Sequence, residues 1–513
     1  MPGASRLLTV LAAVTAVLAL APLAYLVVRV AEAGPSQVLE ALIRERTWQT
    51  AGTSLALALA VIACCLALGL PMSWILARTT VPLVGVWLVL ASLPLAIPSY
   101  VAAYAWLAQF PGMHGFWAAT LVLTMVSMPY VVLPVTAALR SMDPAPEEVA
   151  RTLGRGPIRA FVQASLPQAW PAAAAGSLLV GLYVLSDFGA VALLRVDAFS
   201  RVIYASYRAS FDRTGAAVLA LVLVALAAVF VLIERRVRGR SHRYRVASGA
   251  ARPPAPLPLS PVARAGAIAY VCAIASVAIG FPVASLLLRM TEGVRRSLDL
   301  AELLSAVLSS TGVSLMGAVI AIVLALPVAI LAARHRTRSS AVIETASFAG
   351  HALPGVVVGL SLVFLTLGLL PIAYQTLTTL AFAYAVLFLP KSIGSSRAAI
   401  AAVPPVIEQV AQSLGRTPVI VWLSTTARIA WSGIAAGGLL VLLTSMKELP
   451  ATLMLRPTGL DTLATELWSR TEVAAYGAAA PYALALIALA AVPAWLLAGA
   501  MQRGRRDADG IPA

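Results

Sequence analysis

The chain has 513 residues, of which 60% are hydrophobic and only 11% are charged. A soluble domain cannot bury this much apolar surface, so the composition indicates a polytopic membrane protein and argues against a water-soluble fold. The formal net charge of +16 would suggest nucleic-acid binding in a soluble protein. Here we expect it to reflect membrane orientation, and we expect no nucleic-acid partner.

Twelve apolar runs follow one another along the chain, each long enough to cross a bilayer of about 30 Å as a helix. The first run is longer than the roughly 7–15 apolar residues of a signal peptide, so we expect a retained helix and not a cleaved leader. The pattern predicts an all-α fold with about 12 transmembrane helices in two six-helix halves. The runs cover residues 7–30, 51–77, 81–107, 115–139, 172–194 and 215–233, then 265–288, 311–333, 342–369, 373–389, 433–455 and 473–500.

The distribution of Lys and Arg sets the expected orientation in the membrane. With the N-terminus inside, these residues are about twice as frequent in the predicted cytoplasmic segments as in the outer ones, in line with the positive-inside rule. Both termini are then cytoplasmic. The stretch 241–264 is basic and proline-rich, and we interpret it as a cytoplasmic linker between a first half at 1–240 and a second half at 265–513. A lipid-headgroup site or a nucleic-acid site is the alternative role for this linker.

A polar stretch interrupts the apolar runs twice, at 143–171 and at 404–432, and a shift of 261 residues superimposes the two copies without a gap. A plain connecting loop rarely needs the same capped helix twice, so the duplication favours a functional role over a simple connection. The aligned pairs include Glu147 with Glu408, Gly154 with Gly415, Pro157 with Pro418, Trp170 with Trp431, and Asp187 with Glu448.

Each copy carries the local signals of a short helix, a glycine turn and a second helix. Glu147 and Glu148 lie in the first turn, where the helix dipole favours carboxylates. Gly154 is placed to end this helix in a left-handed conformation, and Pro157 is placed to begin the next helix.

Ionisable residues within apolar runs are a second signal, because each costs about 2.5–3.5 kcal/mol on insertion scales unless it faces protein or water. Asp187 and Glu448 occupy matching positions in the two halves, and Lys447 beside Glu448 is one of only two lysines in the chain. Two interpretations stay open. The acids either pair with basic groups, such as Lys447 or Arg195, and fix helix packing, or they line a translocation path.

The first polar copy, E-x-V-A-R-T-L-G followed by Leu166-Pro167, resembles the cytoplasmic EAA loop of the membrane subunits of binding-protein-dependent ABC importers. In that family the loop forms a coupling helix that docks into a groove of the ATPase subunit. The resemblance implies a type I ABC importer permease fold. It also implies ATPase-coupling residues at Glu147, Glu148, Ala150, Leu153 and Gly154, and in the second loop at Glu408, Ala411, Leu414 and Gly415.

The second loop departs from the family pattern. Gln409 and Gln412 replace Glu148 and Arg151, and Ala427-Arg428 stands where Leu-Pro is expected. We therefore expect the two ATPase contacts to be unequal.

The segments S-D-F-G-A-V-A-L-L-R and K-E-L-P-A-T-L-M-L-R-P resemble the fused, twelve-helix ferric-iron permeases of the same family. This resemblance implies a bacterial inner-membrane permease for ferric iron, with translocation-path residues Asp187, Lys447 and Glu448. It implies a periplasmic or lipid-anchored binding protein and two copies of an ABC ATPase subunit as partners. Thiamine, polyamines, sulfate and phosphonate remain alternative substrates, because their permeases have similar loops.

The chain lacks the signals of an enzyme. A phosphate-binding loop needs Gly-Lys-Ser/Thr, but the two lysines follow Pro390 and Met446, so we expect ATP to be used by a partner subunit. The four histidines have no metal-ligand spacing, and we expect no catalytic residue, resident metal or cofactor. An ion-coupled secondary transporter is a more remote alternative, since it would not need the paired capped loops. A membrane-embedded enzyme would need a catalytic set that the sequence does not show.

Overall fold

The structure is a computed structural model that describes residues 6–208, 212–241, 256–294, 299–335, 337–348, 350 and 353–490. Within these ranges the regular elements are helical, apart from one isolated β-bridge between Thr79 and Leu257. Most of the predicted linker, at 242–255, lies outside the described residues, as do the residues from 491 onward.

Thirteen α-helices cover the first half, and prolines mark several of their starts. Pro129 and Pro157 are the first residues of their helices, where a missing backbone N–H breaks no hydrogen bond. The helices are α1 Arg6–Ala33, α2 Pro35–Ile43, α3 Glu45–Arg78, α4 Val84–Ser92, α5 Ser99–Gln109, α6 Phe116–Ser127, α7 Pro129–Ser141, α8 Ala145–Thr152, α9 Pro157–Ala160, α10 Leu166–Ser186, α11 Gly189–Leu193, α12 Phe199–Arg208 and α13 Arg213–Ser241.

The helices of the second half repeat this order, and hydroxyl side chains cap several of them. Ser260 accepts the Ala263 N–H before α14, and Thr376 accepts the Thr379 N–H before α19, which satisfies donors that a helix start leaves unpaired. The helices are α14 Pro261–Ala275, α15 Phe281–Val294, α16 Leu300–Arg334, α17 Arg338–Ser347, α18 Gly355–Leu369, α19 Leu377–Ala402, α20 Pro405–Ser413, α21 Pro418–Val421, α22 Ala427–Ser445, α23 Pro450–Leu455, α24 Leu463–Glu472 and α25 Tyr476–Ala490.

Twelve apolar helical segments lie within the described residues, in the order of the twelve predicted runs. Nine are long and apolar enough to cross a membrane, one is the bent pair Val84–Ala96 and Ser99–Gln109, and two are the shorter helices α18 and α25. The predicted all-α, polytopic membrane fold with six segments in each half is confirmed.

The third segment of each half is broken, although the sequence predicts a single run for each. Run 81–107 bends by 90° next to Pro98, and run 342–369 is divided between α17 and α18 next to Pro354. A proline lacks the N–H that a continuing helix needs and also disfavours helical geometry in the residue before it. The predicted single helices are therefore wrong at these two positions.

The fifth segment of each half is displaced toward the N-terminus relative to its predicted run. Continuous helix extends over Pro157–Ser186 and Pro418–Ser445, whereas the predicted runs are 172–194 and 433–455. Each of these segments contains a π-helical turn, at Phe161–Ser165 and at Trp422–Thr426. Asp187 and Glu448 consequently follow the long helices and do not lie within them.

The chain packs into two compact units. The first unit contains the described residues within Glu40–Asp212 and Val222–Glu292, and the second unit contains those within Met1–Leu39, Arg213–Leu221 and Gly293–Ala513. These units do not follow the halves of the sequence, because α1 belongs to the second unit and α14 belongs to the first.

In the first unit, α3, α7 and α10 form the core. Gly176 lets α10 approach α7 closely, since a Cβ at this position would lie 2.4 Å from the Tyr130 carbonyl oxygen. The α14–α15 segment joins this unit through polar contacts as well: the Tyr270 hydroxyl donates to the Leu68 carbonyl at 2.8 Å, and Ser285 donates to the Ala105 carbonyl at 2.7 Å.

In the second unit, α16, α19 and α22 form the equivalent core. Gly437, which the 261-residue shift pairs with Gly176, leaves only 3.1 Å between an added Cβ and the Ser395 side chain. Helix α1 packs on α16, α17 and α18, and its Thr15 hydroxyl donates to the Leu324 carbonyl at 2.9 Å. Each unit therefore contains the first apolar segment of the opposite half of the sequence.

The described end of the linker is held against the first unit. Leu257 is buried, its N–H donates to the Arg78 carbonyl at 2.6 Å, and its carbonyl accepts the Thr80 N–H at 3.1 Å. This bridge fixes the chain just after the end of α3.

Candidate functional site

The first polar loop forms the predicted helix, glycine turn and second helix. The Asp143 carboxylate accepts the Ala145 N–H at 3.0 Å at the start of α8. Gly154 has a φ of +80°, the left-handed conformation that glycine adopts most easily. The Arg155 N–H then donates to the Ala150 carbonyl at 3.2 Å, which is the long bond of a Schellman cap.

The second polar loop repeats this geometry. Helix α20 ends at Ser413, Gly415 has a φ of +81°, and Pro418 begins the next helix. The Gly415 N–H donates to the Gln412 carbonyl at 2.9 Å. The left-handed turn predicted from the glycine is therefore present in both loops.

Each loop exposes an apolar cluster around its glycine turn, and the 261-residue shift pairs the three residues of one cluster with the three of the other. An isolated apolar residue on a surface needs no explanation, but a repeated apolar cluster is typical of a protein–protein interface. Only Leu153 and Leu414 belong to the predicted coupling set. The other four could have been found in the sequence by asking which apolar residues of the first polar loop recur 261 residues later in the second. The six residues, between 55% and 75% exposed, are Val149, Leu153, Ile158, Val410, Leu414 and Val419.

The other predicted coupling residues divide between the surface and the interior. Glu148, Gly154 and Gly415 are exposed, and Ala411 is half-buried, so these four lie on or near the exposed side of the loops. Ala150 is buried on the inner side of α8.

Glu147 and Glu408 also point inward, although both lie in the first turn of a helix whose apolar side chains are exposed. Their side chains are only 12% and 20% exposed. The structure therefore separates the two acids from the apolar clusters of the same loops.

Asp187 lies in the break between α10 and α11, and its side chain is buried. Its Oδ1 accepts the N–H groups of Ala190 and Val191 at 3.0 and 3.4 Å. Its carbonyl oxygen accepts the Ser200 hydroxyl at 2.5 Å. Asp187 thus caps the start of α11.

Glu448 occupies the matching break between α22 and α23. Its Oε1 accepts the Ala451 N–H at 3.0 Å, and its carbonyl oxygen accepts the Thr452 hydroxyl at 2.7 Å. The preceding Lys447 is half-buried, and so is Lys391, whose ammonium group lies 5.0 Å from the centre of the Phe388 ring. Glu448 caps α23 as Asp187 caps α11.

Both acids also lie at the start of the second part of a broken third segment. Ser99, the first residue of α5, hydrogen-bonds the Asp187 carboxylate. Gly355, the first residue of α18, lies so close to Glu448 that an added Cβ would be 2.4 Å from Oε1. Helix starts carry partial positive charge, so two of them stabilise each carboxylate. This capping role differs from both interpretations offered by the sequence.

The described residues contain no group of three or more His, Cys, Asp or Glu side chains close enough to hold a metal ion. His242 and His351 lie outside the described residues. Asp187 and Glu448 lie at the helix breaks of different units.

Comparison with known proteins identifies relatives of the whole chain and of its parts. The family model described as "Binding-protein-dependent transport system inner membrane component" matches residues 69–241. The chain is 33% identical to the Fe(3+)-transport system permease protein FbpB 2 of Haemophilus influenzae over 93% of this chain and 94% of that protein. It is 28% identical to the molybdenum transport system permease protein ModB of Escherichia coli over 38% of this chain and 94% of that protein. It is 29% identical to the sulfate transport system permease protein CysT of Escherichia coli over 34% of this chain and 70% of that protein.

The full-length match includes both halves and therefore both polar loops. The capped loops, the repeated apolar clusters and the twelve apolar segments agree with this relationship. The chain belongs to the family of binding-protein-dependent transport system inner membrane components, the permeases of ABC importers.

Proposed function

We propose that this permease carries ferric iron into the cytoplasm. The observation that carries the proposal is the match to a permease named for Fe(3+) transport, which spans nearly the whole length of both chains. The relatives named for molybdenum and sulfate match only about a third of this chain.

We propose that two copies of an ABC ATPase subunit bind the two exposed apolar clusters, one at each coupling helix. The clusters are chemically alike and related by the internal repeat, so each suits the same groove of an identical partner. The ATPase uses ATP, and this chain acts as the transport subunit. The excess of Lys and Arg on the side of the coupling loops supports cytoplasmic termini, and a substrate-binding protein then delivers the ligand from the opposite side.

We propose that Asp187, Lys447 and Glu448 contribute to the translocation path. Carboxylate oxygens are hard ligands that suit Fe(III), and a charge attracts a cation more strongly where water is scarce. The half-buried Lys447 beside Glu448 limits the net negative charge at that position, which favours passage over tight retention. The capping bonds hold both carboxylates at fixed places at the helix breaks.

Uptake into proteoliposomes tests the substrate. The permease is reconstituted with its ATPase subunit and its cognate binding protein, and radioactive ferric iron inside the vesicles is measured with and without ATP. We expect ATP-dependent accumulation that unlabelled ferric iron suppresses and that molybdate, sulfate, thiamine, polyamines and phosphonate do not. ATP-dependent uptake of one of these competitors, without iron uptake, would replace the proposed substrate.

A further inference from the structure

Glu147 contacts two residues that lie far from it in the sequence. Its Oε2 accepts the Ser165 hydroxyl at 2.5 Å and lies 3.6 Å from Nε of Arg78. Arg78 is the last residue of α3, and Ser165 ends the π-helical turn that leads into α10. Both partners are buried. The first coupling helix is therefore tied to the end of the second apolar segment and to the base of the fifth.

Glu408 has the same two kinds of partner in the second unit. Its Oε1 accepts the Thr426 hydroxyl at 2.5 Å and a hydrogen bond from Nη2 of Arg334 at 2.7 Å. Arg334 is the last residue of α16, and its Nη1 also donates to the Val403 carbonyl at 2.9 Å. Thr426 ends the matching π-helical turn.

The two sets of contacts arise differently from the sequence. Ser165 and Thr426 are related by the 261-residue shift, but the arginines are not, because Ser339 stands where the shift would place a partner for Arg78. An arginine nevertheless reaches the carboxylate from the end of the second apolar segment in both units. The contact between arginine and glutamate is thus present in both units although the two arginines are not related by the 261-residue shift. This repetition indicates a role for the contact itself.

Each acid is directed away from the surface that the ATPase would cover. The exposed residues Val149 and Leu153 lie on the outer face of α8, whereas Glu147 faces inward toward Arg78. A carboxylate in so little water needs both partners: removing the arginine leaves an unbalanced charge, and removing the hydroxyl leaves a carboxylate oxygen without its hydrogen bond. These contacts hold the helix to its own unit.

We propose that Glu147 and Glu408 are positioning residues, each forming with its arginine and hydroxyl a clamp that makes the coupling helix move together with the second and fifth apolar segments of its unit. A displacement of the helix by the ATPase then reaches both segments at once. The inference rests on the proposed function, because it assumes that an ATPase drives these helices.

The two clamps differ in strength. Arg334 makes two hydrogen bonds, whereas the 3.6 Å separation of Arg78 from Glu147 is an ion pair beyond hydrogen-bond distance. The backbone of Arg78 is instead fixed by Leu257 of the linker. We therefore expect the clamp of the second unit to contribute more to coupling.

The first test replaces each acid by its amide, in the full permease reconstituted with its ATPase and binding protein. Glu147→Gln and Glu408→Gln should retain ATPase association within about threefold. The coupling ratio, defined as substrate transported per ATP hydrolysed, should fall about tenfold or more, and the larger fall is expected in Glu408→Gln. If ATPase association falls in proportion to transport, the acids contact the ATPase directly and the clamp is refuted. Glu40→Gln is the matched control, since Glu40 pairs with Arg44 at 3.0 Å on the exposed surface, where such pairs contribute little.

A double-mutant cycle separates the clamp from a general packing effect. Residues that act through one contact show non-additive losses. The double variant Arg334→Gln with Glu408→Gln should therefore have a coupling ratio no more than about twofold below that of Glu408→Gln alone. Losses that multiply would overturn the proposal. Membrane abundance is measured for every variant so that poor folding is recognised.

Hydroxyl variants keep the proposal testable if the charge variants do not accumulate in the membrane. Ser165→Ala and Thr426→Val leave the ion pair in place and should lower the coupling ratio by about threefold to tenfold, within the range for the net contribution of one intramolecular hydrogen bond. The exchanges Ser165→Thr and Thr426→Ser should restore coupling. An unchanged ratio in Ser165→Ala and Thr426→Val would refute the clamp.

The two proposals fail in different ways. If wild-type permease does not take up iron, the proposed substrate is wrong. The clamp can then still be tested by comparing, between wild type and the same variants, how strongly the binding protein stimulates ATP hydrolysis. If wild-type uptake is normal and the acid variants remain fully coupled, only the clamp is wrong.

Discussion

Substituting Gly154 or Gly415 by valine tests whether the capped turns are needed for coupling. Their φ angles are +80° and +81°, and no atom outside the turn lies within 4 Å of a Cβ added at either position. The Cβ of the new residue therefore meets no neighbour. We expect the effect to come from forcing a β-branched residue into the left-handed region.

That conformation costs a non-glycine residue roughly 1–2 kcal/mol, which is a factor of about 5–30 in the equilibrium between the capped and uncapped turn. In the first loop the uncapped turn loses the hydrogen bonds from Gly154 to Arg151 and from Arg155 to Ala150. Leu153, at the end of α8, then loses its fixed position in the apolar cluster. We expect ATPase association to weaken by about the same factor of 5–30, while membrane abundance stays normal.

The assay is equilibrium binding of the ATPase subunit to purified permease, followed by measurement of ATP-driven uptake. Gly156→Thr is the matched control, because Gly156 has a φ of −62° and open space around an added Cβ, and the second loop naturally carries Thr417 at that position. Normal binding and uptake in Gly154→Val and Gly415→Val would refute the role of the turns. Equal damage from Gly156→Thr would refute the argument from backbone conformation.

Two further predictions concern the path and the orientation. Asp187→Asn and Glu448→Gln remove the charge but keep an oxygen that can cap α11 and α23. If both side chains line the path, iron uptake should be lost while membrane abundance and ATPase association stay normal. Unchanged iron uptake in the double variant would show that neither carboxylate takes part in transport. Cysteines introduced at the exposed positions Ile158 and Val419 should react with impermeant thiol reagents only from the cytoplasmic side, and labelling of either from the outer side would reject the topology.

The sequence predicted the coupling loops closely because their determinants are local. Proline at a helix start, acids in the first turn and glycine at the end fix the backbone within about ten residues, and the observed φ of Gly154 agrees. The duplication strengthened the prediction, since the same signals occur at Gly415.

The inward direction of Glu147 was not accessible from the sequence. Helix α8 has only eight residues, and its pattern shows two faces without showing which one meets the protein. The answer depends on Arg78, which lies far away in the sequence and reaches the acid only through tertiary packing. Tertiary packing also buries Ala160 and Val421. Their position in the polar loops alone would have suggested that cysteines at these residues can be labelled.

The capping role of Asp187 depended on a helix boundary that the apolar pattern did not show. The run 172–194 contains no charged residue other than Asp187 and no proline, so the sequence placed Asp187 within a helix. In the structure the helix ends at Ser186, the Asp187 carboxylate accepts backbone N–H groups of α11, and the Ser200 hydroxyl donates to the Asp187 carbonyl. A helix end inside an apolar run leaves little trace in hydropathy.

The exchange of first segments between the two units has a consequence for biosynthesis. Helix α1 leaves the ribosome before its packing partners α16, α17 and α18, which are translated some 300 residues later. At about 5–20 residues per second, α1 has to wait in the membrane for roughly 15–60 seconds before its partners exist. During that interval the Thr15 hydroxyl can bond the Leu11 carbonyl of its own helix but lacks its partner on α16, the Leu324 carbonyl. Two separately expressed halves would each lack the segment that completes their unit, so they should accumulate only when they are made together.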